Sequence, residues 1–171
     1  MDHFSFINGA LHAEGVPLAT IAAEVGTPVY VYSRATLERH ARVFQESLSG
    51  LERTHFAFAI KANPNLSVLS VLAKCGFGAD VVSGGEVSRA ISAGMKPGDI
   101  VFSGVGKTRG ELQAALDKGV GQFNIELEEE GIVLSALAAA MGRKAVAVLR
   151  VNPDVDAGTH AKISTGMKEN K

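Results

Sequence analysis

The 171 residues suffice for one domain with its own core, and 46% hydrophobic against 20% charged residues is ordinary globular composition. Lysine plus arginine number 17 against 18 acidic residues, so the net charge of −1 gives no field to draw the chain to nucleic acid or anionic lipid. Cys75 is the only cysteine, so no internal disulfide can form and a cytoplasmic setting is expected; residues 1–10 lack the basic start of a signal peptide, and no stretch nears the ~20 apolar residues of a membrane span.

Taken in chain order, Leu18, Ile21, Ala22 and Val25 predict a short helix that ends at Gly26. Val29-Tyr30-Val31-Tyr32 alternates like a strand, and Ser33 is placed to cap a helix with Leu37, Ala41, Phe44 and Leu48 on one face. From residue 56 a unit repeats. Apolar runs at Phe56–Ile60, Ala79–Val82, Ile100–Phe102, Phe123–Ile125 and Val146–Val151 begin about 22 residues apart, a period that fits alternating strand and helix. Their consecutive apolar positions suit strands covered on both faces.

The intervening segments carry helix signals. Asn63-Pro64 reads as a cap and first-turn proline, with Leu66, Leu69 and Leu72 inward before Gly76. Ser83 with Glu86, and Thr108 with Glu111, read as capping boxes closed by Gly94 and Gly119. A further helix is expected from about Glu128 to Met141, ending at Gly142. The architecture expected is α/β with a parallel sheet, and the even spacing favours a (β/α)8 barrel over an open sheet. Only about five of the eight strands are present, so the barrel is expected to be incomplete. Residues 1–33 read as a segment of a second domain and 34–171 as the partial barrel.

Lys61 is the sharpest chemical signal. It ends an apolar run, at the strand end where barrel enzymes place their chemistry, and partial burial by phenylalanines would favour its free amine for Schiff-base work. A lysine that merely reaches solvent fits the same position. Asp80 and Arg150 lie within or near the ends of apolar runs, where charges need partners; they could surround Lys61 or form structural ion pairs. Glu86 could join them or act only as a cap. His160 could reach the site or lie on the surface, and the five histidines show no metal-ligand spacing. Gly104-Val105-Gly106-Lys107-Thr108 echoes a P-loop, but Val101 stands where its first glycine is needed, so Thr108 is expected as a cap and Lys107 as a loop charge. Cys75 is expected in the core.

Phe58-Ala59-Ile60-Lys61-Ala62-Asn63-Pro64-Asn65 resembles the cofactor-lysine motif of the alanine-racemase-like, fold-type III decarboxylases. Residues 79–86, 102–108, 150–160 and 163–166 follow in family order and are similar to the diaminopimelate decarboxylases within it. The resemblance implies a (β/α)8 barrel paired with a β-domain, pyridoxal 5'-phosphate held by Lys61 as a Schiff base, and decarboxylation of meso-diaminopimelate to L-lysine. It implies a homodimer; from their own positions in the sequence, Asp80, Arg150 and His160 are expected to join Lys61 at the cofactor. The family's phosphate-binding turns, the acid that faces the pyridine nitrogen and the catalytic cysteine have no counterpart here, so the chain by itself is expected to be incomplete. A related decarboxylase or racemase of another basic amino acid, a non-catalytic regulatory relative and a truncated product without activity are the alternatives.

Overall fold

A computed structural model describes residues 2–151. The chain opens with three short antiparallel strands in spatial order β1-β2-β3: β1 (Phe4–Ile7), β2 (Ala10–Ala13) and β3 (Val16–Pro17). Ile7 pairs with Ala10 across the two-residue loop Asn8-Gly9, both in the left-handed region at φ 51° and 80°. Asn-Gly is the pair that such a primed hairpin turn favours, so the signal was in the sequence although no strand was expected there. Helix α1 (Leu18–Val25) follows and stops at Gly26 as expected.

Val29–Tyr32 forms no strand, contrary to its alternating pattern, and the Tyr30 side chain is 89% exposed. Alternation gives a strand two usable faces but supplies no neighbour to pair with. Ser33 caps helix α2 (Arg34–Ser47), its Oγ accepting the Thr36 N–H at 3.0 Å. Ala41 and Leu37 of α2 pack on the core, whereas Phe44 is exposed and meets Phe56 edge-on at 5.6 Å. The Ser33 hydroxyl also donates to Glu14 Oε1 (2.7 Å), which accepts the Ala35 N–H (2.9 Å) as well and so ties the first sheet to the start of α2.

Among the described residues, four strand-helix repeats and a fifth strand then build one parallel sheet of sequential order: β4 (Ala57–Ala59), β5 (Gly78–Val81), β6 (Ile100–Phe102), β7 (Gln122–Ile125) and β8 (Ala147–Leu149). Between them run α3 (Leu66–Lys74), α4 (Gly84–Ser92), α5 (Arg109–Lys118) and α6 (Glu128–Ala140). This is the partial barrel that the repeat predicts. The cap of α3 is Asn65, not Asn63: its Oδ1 accepts the Ser67 and Val68 N–H groups at 2.9 and 3.3 Å. A 3₁₀ turn at Ile60–Ala62 pushes the helix start past Pro64, so Val68, Leu69 and Leu72 face inward while Leu66 is exposed.

The sheet has two unlike faces, because alternate residues of a strand point to opposite sides. Ala79, Val81, Phe102, Phe123 and Ile125 are buried in the core shared with α3–α6. Asp80, Ser103, Gln122 and Asn124 are only half-buried and lie on the opposite face. That second face becomes the lumen of a closed barrel.

Candidate active site at the strand ends

Strands β4–β8 bring their C-terminal ends, and the loops that follow them, to one edge of the sheet. Lys61 stands there, in the 3₁₀ turn directly after β4. Its side chain is exposed, so the expected burial by phenylalanines is absent; Phe58 turns instead toward the helix-side core. No hydrogen bond or ion pair joins Lys61 to another of the described residues, which leaves its amine available.

Asp80 sits in β5, in register with Ala59 two residues before Lys61 and with Val101 of β6. Its Oδ1 accepts the Ser103 hydroxyl at 2.5 Å. Ser103 Oγ accepts in turn from Asn124 Nδ2 (3.0 Å), and Asn124 Oδ1 from Gln122 Nε2 (2.8 Å). A polar ladder thus crosses β5, β6 and β7 on the lumenal face. Ser103 and Asn124 were not singled out from the sequence. The clue was there in Gln122-Phe123-Asn124-Ile125, where polar residues alternate with apolar ones that face the core.

Arg150 lies just past β8, its N–H donating to Ile125 O (3.0 Å) and its Nη1 ion-paired with Glu126 Oε1 at 3.2 Å. The structure joins neither Arg150 nor Asp80 to Lys61 by a hydrogen bond or ion pair. Glu86 acts as a cap with a longer reach than expected: Ser83 Oγ accepts the Glu86 N–H, while Glu86 Oε2 accepts the N–H of Val82, one residue before the cap. His160 and the motif of residues 152–166 lie outside the described residues.

Lys107 is the main correction. Expected as a loop charge, it has a fully buried side chain whose Nζ donates to Gly104 O (2.6 Å), Asn124 O (2.7 Å) and Glu130 Oε1 (2.6 Å). An ammonium has three donors, and all three are used. Thr108 caps α5 as expected, with both halves of the capping box present. Glu111 does more than close that box, for its Oε1 also accepts the Gly84 N–H of α4 at 2.9 Å. These bonds, led by the Gly84 N–H and followed by the Thr108 N–H and hydroxyl, hold the Glu111 carboxyl below the usual carboxylate range. Cys75 packs against the core and burial pushes its thiol up, which suits a structural residue.

Known proteins share this fold. The family described as "Pyridoxal-dependent decarboxylase, pyridoxal binding domain" matches residues 34–171. The chain belongs to that family. It is 55% identical to the diaminopimelate decarboxylase of Pseudomonas fluorescens and 53% identical to that of Pseudomonas aeruginosa, in each case over the whole chain and 41% of the relative. It therefore spans about two-fifths of the length of these curated relatives. Among solved structures, diaminopimelate decarboxylase from M. jannaschii superposes with a TM-score of 0.88 at 35% identity, over 99% of this chain and 40% of that one. The Helicobacter pylori enzyme, complexed with L-lysine, gives a TM-score of 0.74 at 44% identity over 78% of this chain and 34% of that one. As a member of this family the chain forms part of a barrel, with five parallel strands and the helices between them among the described residues.

Proposed function

We propose that this chain is the cofactor-holding part of a diaminopimelate decarboxylase, with Lys61 as the residue that binds pyridoxal phosphate. The observation that carries the reading is the unpartnered Lys61 amine at the C-terminal end of β4, the end where barrel enzymes gather catalytic groups. Support comes from the relatives that bear that name and from L-lysine, the reaction's product, in the H. pylori relative. The residues present suit the cofactor. A free amine can attack its aldehyde, and Asp80 with the polar ladder offers a lumenal face that tolerates a charged ligand. When bound, pyridoxal phosphate supplies a conjugated ring that takes up the electrons released as carbon dioxide leaves.

Lys61 holds the reacting centre in place, Asp80 faces the lumen beside it, and Arg150, anchored to Glu126, closes the far end of the described site. His160 belongs to the same set. Residues 1–33 form the segment of a second domain and 34–171 the cofactor-binding barrel portion, within a cytoplasmic homodimer.

The test uses the complete protein of which this chain forms a part. Pyridoxal phosphate reduced onto the protein with borohydride is expected on Lys61, and carbon dioxide release from meso-diaminopimelate is expected to fall to background in Lys61→Ala. Label spread over many lysines would refute the role of Lys61. Release from lysine, arginine or ornithine in place of diaminopimelate would refute the substrate.

A further inference from the structure

The lumenal ladder has a direction. Gln122 Nε2 donates to Asn124 Oδ1, Asn124 Nδ2 donates to Ser103 Oγ, and the Ser103 hydroxyl donates to Asp80 Oδ1. A serine hydroxyl has one hydrogen; because Ser103 accepts from Asn124, that hydrogen is free to go to Asp80. Every donor thus points toward one carboxylate, and hydrogen bonds aligned in this way polarise one another. The far end is anchored too, since the Asn124 carbonyl accepts from the buried Lys107 ammonium at 2.7 Å.

The arrangement fixes one oxygen of Asp80 and leaves the other. Oδ2 has no hydrogen-bond partner among the described residues, although Asp80 is half-buried on the face that carries the site. A carboxylate in such a place ordinarily meets a cation or further donors. Resting on the reading of Lys61 as the cofactor lysine, we infer that Ser103 and Asn124 are positioning residues of this site. They hold the Asp80 carboxylate so that Oδ2 faces the nitrogen of Lys61 itself, positively charged when that residue holds the cofactor. Neither residue touches the reacting atoms; both act through Asp80.

A double-mutant cycle on the complete protein tests this, with the dissociation constant for pyridoxal phosphate read by equilibrium dialysis and the thermal midpoint read alongside. Asp80→Asn and Ser103→Ala are each expected to weaken cofactor retention, the latter about tenfold, the scale of one hydrogen bond to a charged group. In the Asp80→Asn background, Ser103→Ala is expected to change retention no further. Ser103→Thr, which keeps the hydroxyl, restores it, and Asn124→Ala weakens it in the same direction by less. Effects of Ser103→Ala and Asp80→Asn that multiply, or a lowered thermal midpoint with unchanged retention, would overturn the inference and leave the role of Lys61 standing. A wild-type protein whose borohydride-trapped cofactor is not on Lys61 defeats the proposed function first, and this inference with it.

Discussion

An ammonium buried at a strand end is tolerable only if all its hydrogens are used. Lys107 meets that demand with two carbonyls and the Glu130 carboxylate, and its Nζ also lies 5.7 Å from the Phe102 ring centre. Removing one member strands the other: Lys107→Met is expected to cost about 3–5 kcal/mol, as for other broken buried pairs. The double variant Lys107→Met/Glu130→Leu is expected to recover a large part of that loss, because no charge is then left alone. Denaturant midpoints of the three proteins check this, and a double variant no better than the single one would count against it. Little of this was legible beforehand. Lys107 follows Gly106 in what reads as an ordinary loop, and its carboxylate partner lies 23 residues on, in the next repeat. Lys61's place at a strand end was legible because its neighbours are local: an apolar run before it and a turn after it.

The repeat is written most clearly in the third residue of each later helix. Glu86 of α4, Glu111 of α5 and Glu130 of α6 all reach back to a backbone N–H of the preceding loop, at Val82, Thr108 and Glu126. Two of the three showed in the sequence because a serine or threonine cap stood three residues earlier. The cap position of α6 is Leu127, which offers no side-chain oxygen. Elements fixed by such local chemistry were read with their ends nearly right. Those that depend on a distant partner were not, as Val29–Tyr32 shows. Glu111 goes further and fastens two helices, so its charge state bears on how α4 and α5 stay together. Its folded pKa lies below the ordinary 4.5, so its contribution to stability is complete above that value. The contribution is lost as pH falls through the lower folded value. Glu111→Gln is expected to cost about 1–2 kcal/mol at pH 7, discounted for partial exposure. The gap to the wild type should close in acid, and denaturation of both proteins across pH 2–7 measures it (roughly the window in which a perturbed carboxylate titrates). A gap that holds constant through acid would exclude the charge as its source.

At the scale of the molecule, the sheet's outer edges decide behaviour. Among the described residues, β4 and β8 each pair on one side only, and a parallel edge with free N–H and C=O groups invites another chain. Beside β8 lies a groove of about 840 Å³ between that strand and α6, lined by Leu127, Ile132, Leu149 and Val151. These four side chains are 62–79% exposed. Apolar residues gathered in this way mark a surface that some other surface covers. The relatives are more than twice as long as this chain, and in a barrel the next unit packs against the last strand and helix. Whatever polypeptide supplies that cover, the described residues leave the groove exposed, and copies of the 171-residue chain are expected to meet through it. The chain's sedimentation coefficient is therefore expected to rise with concentration. Ile132→Glu, which sets a charge in the groove without touching the buried core, should lower that rise. A chain that stays monomeric across the range and melts reversibly in one cooperative step would mean that five strands stand alone, and that neither edge nor groove needs a partner.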